Sequence, residues 1–323
     1  MGIRYLNRYL RENCPKSIKC SNIGELSGKR IAVDISIYLY KYETDNCLLE
    51  NIYLMLSIFR KYNVIPIFIF DGKPPPEKKE LLQKRRDDRE EAQQEFNKLK
   101  EQLGSLTGDE DKQDIINQMD LLKGQIVQMS KTKIEKVKQL IRAYGATYYD
   151  APGEADELCA LLVLKNKVWA CLSEDMDLFV YGCPRVLRYF SLINHSIVLY
   201  DFKGILNELD LSHKEFKDIC ILSGTDYNIN SNSNVSLQQT LKLFSKYKGT
   251  KDNKQNNEFY DWLQTNTNYI ECPELLEKIH SMFDLNDNHE NLTIFNEIRI
   301  ANGPIRTDEI QYIMKDEGFL FIN

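Results

Sequence analysis

Two short apolar runs, separated by one helix-length segment, constrain the fold of this chain more than any other feature. Residues 30–34 and 64–70 have the composition of buried strands, and residues 48–61 between them have helical spacing. Strand, helix and strand in this order predict a parallel βαβ unit. Because the same alternation resumes over residues 146–228, we expect an α/β fold whose mainly parallel central sheet is flanked by helices.

A long polar segment interrupts this alternation. After the prolines at 74–76, residues 77 to about 130 are mostly charged, with both signs interleaved, and helix formers dominate except around Gly104 to Asp109. A helix pair that is polar on all sides cannot be core, so it must project into solvent or across a partner. The expected organisation is: 1–76, first part of the core; 77–145, helical insertion; 146–228, second part of the core; 229–258, an Asn-, Ser- and Lys-rich segment around a helix at 237–247; and 259–323, a tail whose role is unclear.

The composition excludes several classes of protein. With 323 residues, 42% apolar residues and a formal charge of −6, the chain is typical of a soluble globular protein. No apolar run approaches the ~18 residues that span a bilayer, and the N-terminus lacks the apolar region of a signal peptide, so an intracellular location is expected. Eight cysteines without a CxxC pair and four histidines without i, i+4 spacing give no support for zinc.

Acidic residues are placed where strands or helices begin or end. Asp34, Asp71, Asp175 and Asp177 follow predicted strands, Glu154 and Asp156 begin a predicted helix, and Asp226 follows another. Because the carboxyl ends of parallel strands share one edge of a sheet, we expect these side chains to converge there. Each acid alone could serve a turn or a helix N-terminus.

Together, the acids indicate a metal site. A cluster of carboxylates would repel strongly in a poorly solvated site unless cations occupied it. Oxygen ligands without His or Cys favour hard ions, which are Mg²⁺ or Mn²⁺ here. Two such ions ~3.5–4 Å apart are a common apparatus for in-line displacement at a phosphodiester. The residues alone therefore predict metal-dependent phosphodiester hydrolysis.

Six motifs, in order, resemble those of the flap endonuclease family of structure-specific 5′ nucleases. They are Met1-Gly2-Ile3, Ala32-Val33-Asp34, Phe70-Asp71-Gly72-Lys73-Pro74-Pro75, Ala151-Pro152-Gly153-Glu154-Ala155-Asp156, Ser173-Glu174-Asp175-Met176-Asp177 and Gly224-Thr225-Asp226-Tyr227. The resemblance covers residues 1 to about 250. It implies a PIN-like core, a helical arch, a helix-hairpin-helix-like DNA-binding segment, two Mg²⁺ ions for which Mn²⁺ can substitute, and cleavage of 5′ flaps in replication, repair or recombination. Whether 5′→3′ exonuclease activity accompanies flap cleavage stays open.

The resemblance also implies roles for individual residues. The seven acids would hold the metal ions, although Asp156 stands where the family usually has Glu. Lys78, Lys84 and Arg85 fall where basic residues of the family reach the scissile phosphate, with Lys84 and Arg85 as the catalytic pair. Tyr40 would stack on the flanking base. The expected DNA-binding residues are Gly2, Tyr40, Lys78, Lys131, Lys133, Lys242 and Lys246. The alternative is a solvated helix face for Lys84 and Arg85, and a core aromatic for Tyr40.

Two segments depart from the family pattern. Residues 232–236, Asn-Ser-Asn-Val-Ser, replace a Gly-Ile-Gly hairpin that binds a monovalent cation and a duplex phosphate. Asparagine tolerates left-handed backbone, so a hairpin can persist, but the bulkier side chains argue against close phosphate approach and against the cation site. Residues 311–314, Gln-Tyr-Ile-Met, begin like a sliding-clamp motif but lack its aromatic pair, so no clamp partner is expected.

These departures suit a virus or another compact genome. We expect a monomer that acts in the nucleus or in a viral replication compartment, on DNA with a 5′ flap or another single-strand/duplex junction. Two other functions stay open at this point. One is a catalytically inactive junction-binding paralogue, which would be expected to have lost several acids. The other is a PIN-type endoribonuclease, which the long polar insertion argues against.

Overall fold

A central sheet of seven strands organises the molecule. The computed structural model describes residues 3–105, 109–228, 236–250, 258–270, 272–285, 299–315 and 317–319. The strands are β1 (Ile18–Asn22), β2 (Arg30–Asp34), β3 (Ile65–Phe70), β4 (Thr147–Asp150), β5 (Ala170–Leu172), β6 (Arg185–Arg188) and β7 (Ser196–Asp201). Their order across the sheet is β1-β7-β6-β5-β2-β3-β4.

The five strands from β6 to β4 in this order are parallel to their neighbours, whereas β7 is antiparallel to both β6 and β1. The prediction of an α/β fold with a mainly parallel sheet is confirmed. The pattern did not reveal β1 or β7, which lie at the antiparallel end of the sheet and are only half-buried, so their apolar signal is weak.

Fourteen helices are described around the sheet. They are α1 (Leu6–Asn13), α2 (Ser36–Thr44), α3 (Leu48–Lys61), α4 (Lys79–Ser105), α5 (Asp109–Ile126), α6 (Lys131–Ala143), α7 (Ala155–Leu164), α8 (Asp177–Val180), α9 (Phe202–Leu209), α10 (His213–Ser223), α11 (Leu237–Thr250), α12 (Phe259–Asn266), α13 (Pro273–Met282) and α14 (Thr307–Lys315). Within the described ranges, no helix is long and apolar enough to cross a bilayer.

Two hydrophobic clusters cover the two faces of the sheet. Alternation along β2 divides its side chains, with Ala32 in one cluster and Ile31 and Val33 in the other. The first cluster packs α1, α7 and α10 against the sheet, and the second packs α2, α3, α6 and α14. The strands before and after the polar insertion therefore complete a single sheet.

The polar insertion forms two helices, α4 and α5, that pack against each other. Ala92 and Leu99 are the buried apolar residues of α4, and most other side chains of this helix are exposed or half-exposed. The buried apolar surface of α4 is thus narrow, as the composition of this helix requires.

The C-terminal part of the chain returns to the core. The backbone of Gly303 donates to the carbonyl of Gly145 at 2.8 Å, and that of Arg306 donates to the carbonyl of Ala143 at 2.7 Å. Beyond them, α14 buries Ile313 and Met314 in the second cluster. Ile313 and Met314 of the clamp-like motif are consequently part of the core, whereas Tyr312 of the same motif is exposed.

Candidate active site

The ends of β2 and β5 bring two of the acids together through a serine. The hydroxyl of Ser173 donates to Asp34 Oδ2 at 2.7 Å and accepts from the backbone of Asp175 at 3.1 Å. All three residues are buried. The motifs alone do not predict this role of Ser173. Its position directly after β5 and two residues before Asp175 is the sequence signal that could have indicated it.

The end of β3 is tied to the start of α7. Asp71 accepts from the backbone N–H of Ala155 at 2.9 Å, and the N–H of Gly72 donates to the carbonyl of Gly153 at 2.7 Å. A Cβ on Gly72 would lie 1.9 Å from the carbonyl oxygen of Ala151, so only glycine permits this close approach. This contact between the end of β3 and the start of α7 brings Glu154, the N-cap residue of α7, to the same edge of the sheet as Asp71.

Three of the acids are buried in conditions that oppose their ionisation. Burial, followed by the charge of Asp71, raises the pKa of Asp34 to about 7. Burial and the charge of Asp175 raise the pKa of both Asp156 and Asp177 well above the ordinary value. Asp177 Oδ1 is buried without a hydrogen-bond partner among the described residues. The cluster therefore needs positive charge to be fully ionised at neutral pH.

Two basic residues of the polar insertion supply part of that charge. Lys78 Nζ lies 2.6 Å from Glu154 Oε1 and 3.9 Å from Asp226 Oδ2, and Arg85 Nη2 lies 3.1 Å from the same oxygen of Asp226. Burial alone would lower the pKa of Lys78, but the charges of Asp156 and Glu154 outweigh it and raise the pKa. Lys78 thus stays protonated.

The structure separates Lys84 from this group. Its side chain is exposed, and no ion pair joins it to any of the seven acids, all of which are described. The catalytic role expected for Lys84 is untested and no contact with the acids supports it, whereas Lys78, expected in the same basic group and as a DNA-binding residue, is the lysine that contacts the acids. Arg85 and Lys84 are adjacent on α4 and therefore point to different sides of the helix, whereas Lys78 lies just before the helix begins.

A cleft of about 400 Å³ adjoins Asp71. Tyr40 and Lys131, two of the expected DNA-binding residues, line it together with Phe70 and Ile134. Tyr40 is 47% exposed, so it is not a core aromatic.

The remaining expected DNA-binding residues lie elsewhere. Lys133 forms an ion pair with Glu43 of α2. Lys242 and Lys246 are exposed and stand four residues apart on one face of α11. Gly2 and residues 229–235 lie outside the described residues, so the hairpin between α10 and α11 has no structural account.

The acids suit hard cations by their chemistry. All the candidate ligands are carboxylate oxygens, which hard cations prefer. The carboxyl groups of Asp34, Asp156 and Asp177 have raised pKa values, and Asp177 Oδ1 is buried without a hydrogen-bond partner among the described residues. Within the described ranges, no three His, Cys, Asp or Glu side chains are grouped as a ready ligand set. Lys78 instead pairs with Glu154 and Asp226.

Comparisons with known proteins agree with this arrangement. The family model of the XPG N-terminal domain matches residues 1–92, and that of the XPG I-region matches residues 145–226. Flap endonuclease 1 of Lodderomyces elongisporus is 30% identical over 246 residues, covering 70% of this chain and 61% of the relative. Flap endonuclease 1 of Trypanosoma brucei brucei is 34% identical over 249 residues, covering 70% and 61%. The matches thus span about three-fifths of these relatives.

Solved structures show the same fold. Flap endonuclease-1 from Methanococcus jannaschii has a TM-score of 0.62 and 22% identity, covering 93% of this chain and 90% of the other. The catalytic core of Rad2 in complex with DNA substrate has a TM-score of 0.62 and 20% identity, covering 98% and 95%. The sheet, its acidic edge and the two matched regions define an α/β protein of the XPG type. The chain belongs to the flap endonuclease family.

Proposed function

We propose that this protein is a metal-dependent, structure-specific 5′ nuclease that hydrolyses DNA phosphodiesters at junctions between single strands and duplex. The observation that supports the proposal is a chain of contacts at one edge of the sheet. Ser173 links Asp34 to Asp175, Asp71 accepts from the first residue of α7, and Lys78 pairs with Glu154 and Asp226. None of the seven is replaced by a neutral residue, which speaks against an inactive paralogue. The names of the relatives support a flap substrate.

Each group at the edge has a task in this proposal. The metal ions would be held by Asp34, Asp71, Glu154, Asp156, Asp175, Asp177 and Asp226. Bound Mg²⁺, or Mn²⁺ in its place, would supply Lewis-acid activation and neutralise charge at the phosphate.

Lys78 and Arg85 would also neutralise negative charge at the phosphate. Arg85 is partly exposed and paired with Asp226, so its guanidinium can transfer to an arriving phosphate, which it can bind in bidentate fashion. Lys78 is buried and held by Glu154, so it supplies a fixed positive charge where negative charge develops.

The cleft beside Asp71 would hold the unpaired strand. Stacking on Tyr40 tolerates any base because every base has a π-face, and Lys131 can meet the backbone phosphate. Lys242 and Lys246 on α11 would contact the duplex backbone without reading sequence. This division agrees with recognition of a junction rather than a sequence.

The test is cleavage of labelled substrates by the purified protein. Flap, bubble, blunt-duplex and single-stranded DNA, together with an RNA flap, would be incubated with Mg²⁺ or with EDTA. We expect cleavage near the junction of the 5′ flap, dependent on Mg²⁺ and lost in Asp175→Asn. Cleavage that persists in EDTA, or a preference for single-stranded RNA, would overturn the proposal.

A further inference from the structure

Tyr227 is a side chain at the acidic edge to which neither the sequence nor the proposed mechanism has given a task. It follows Asp226 in a turn that closes on itself beyond α10. The N–H of Tyr227 donates to Thr225 Oγ1 at 3.2 Å, and Asn228 Oδ1 accepts from the backbone and hydroxyl of Thr225 at 2.7 and 2.6 Å. The backbone that carries Tyr227 is therefore tightly held.

The hydroxyl of Tyr227 is aimed at Glu154. It donates to Glu154 Oε2 at 2.6 Å, while Lys78 Nζ donates to Oε1 of the same carboxylate at 2.6 Å. Both oxygens of Glu154 thus have a directional donor, and these donors come from segments that are far apart along the chain. A carboxylate held at both oxygens has its orientation fixed.

The ring of Tyr227 faces the second of these donors. Lys78 Nζ lies 5.1 Å from the ring centroid, within the range of a cation–π interaction. Phe283 is a second ring neighbour, at 5.5 Å between ring centroids in an edge-to-face arrangement, and the hydroxyl of Tyr181 is hydrogen-bonded to that of Tyr227. Phe283 is buried and follows α13, so the C-terminal part of the chain backs the ring.

We propose that Tyr227 is a positioning residue of the active site, which orients Glu154 through its hydroxyl and Lys78 through its ring. This inference rests on the proposed nuclease function. It also gives the segment around Phe283 a task, since that segment supports the ring from behind. Tyr227 touches neither substrate nor reacting atoms in this role and acts only through its two neighbours.

The proposal separates the hydroxyl from the ring. Tyr227→Phe keeps the ring against Lys78 and Phe283 but leaves Glu154 Oε2 without its donor. Tyr227→Leu removes both. The matched control is Tyr144→Phe, which deletes a hydroxyl whose 2.7 Å contact with Ser57 Oγ lies in the second hydrophobic cluster, away from the acids.

Single-turnover cleavage of a 5′ flap in Mg²⁺, Kd for the same DNA in Ca²⁺ and the Tm in EDTA would be measured for each variant. A hydrogen bond to a charged group is worth about tenfold or more in an equilibrium. We expect Tyr227→Phe to slow cleavage roughly tenfold, and Tyr227→Leu further, with Kd within about twofold of wild type. Tyr144→Phe should cleave at the wild-type rate.

A double-mutant cycle gives a readout that a purely structural role would not move. In a Lys78→Met background, the loss caused by Tyr227→Leu should shrink, because the two residues act on one carboxylate. Additive losses, or a Tyr227→Phe rate within twofold of wild type, would overturn the positioning role while wild-type cleavage leaves the nuclease function standing. Absence of cleavage by the wild type on every substrate would instead refute the proposed function itself.

Discussion

Replacing Lys78 by methionine tests the arrangement of the active site most directly. Methionine keeps much of the volume of the side chain and removes its charge, and Lys84→Met is the matched control on the neighbouring helix. Lys78 is buried with one carboxylate at 2.6 Å and a second at 3.9 Å, whereas Lys84 is exposed. The same chemical change is therefore made at two sites that differ in burial and partners.

The magnitudes follow from these contacts. Removing one partner of a buried ion pair leaves an uncompensated charge and costs about 3–5 kcal/mol. In EDTA we expect Lys78→Met to lose stability on this scale, and Lys84→Met to stay within about 0.5 kcal/mol. If Lys78 also meets charge that develops at the phosphate, single-turnover cleavage should fall about 10²–10³-fold. Lys84→Met should stay within roughly threefold on the same reasoning.

Urea unfolding in EDTA measures the first quantity, and rapid-quench cleavage of a 5′ flap at saturating enzyme measures the second. Added Mg²⁺ should restore part of the stability of Lys78→Met, because cations at the acids replace the missing charge. A loss of rate in Lys84→Met as large as that in Lys78→Met would refute the assignment of Lys78. Such a result would favour the role that the sequence resemblance gave to Lys84.

Three further predictions concern the acids and the duplex. Asp175→Asn or Asp177→Asn should abolish cleavage yet keep junction binding, as measured by anisotropy, because phosphate contacts elsewhere carry affinity; cleavage within tenfold of wild type would remove them from the metal site. Burial raises the pKa of Asp34 in the folded protein to about 7, from an ordinary value of 3.8. Between these values the folded protein keeps a proton that the unfolded chain has released, so the stability of the wild type falls as the pH rises from about 4 to about 7. In EDTA, Asp34→Asn should therefore be more stable towards urea than wild type, and this advantage should be larger at pH 7.5 than at pH 4.5. A stability difference between the two proteins that is the same at both pH values would contradict this. Because residues 232–236 replace the glycine hairpin, exchanging K⁺ for Na⁺ should change the cleavage rate little and duplex length should matter weakly; a strong K⁺ requirement with a sharp length threshold would contradict it.

The sequence alone indicated the parallel strand-helix-strand core and the set of candidate acids. Apolar runs in strand-helix-strand order can be recognised locally in the sequence. Because parallel strands have their carboxyl ends at one edge of the sheet, residues that follow different strands are expected to lie near one another. Asp34 and Asp71 could be assigned to that edge for this reason. The polar composition of residues 77–130 is by itself enough to exclude those helices from the core.

The tertiary structure alone decided which basic and polar groups meet the acids. Sequence spacing cannot tell the buried Lys78 from the exposed Lys84, because the direction of each side chain depends on how α4 and the turn just before it are set against the sheet. The contacts of Ser173 and Tyr227 likewise join segments that are far apart along the chain. Such contacts carry no local periodicity, and only the packing of the sheet, α7 and the turn after α10 brings them within hydrogen-bond distance.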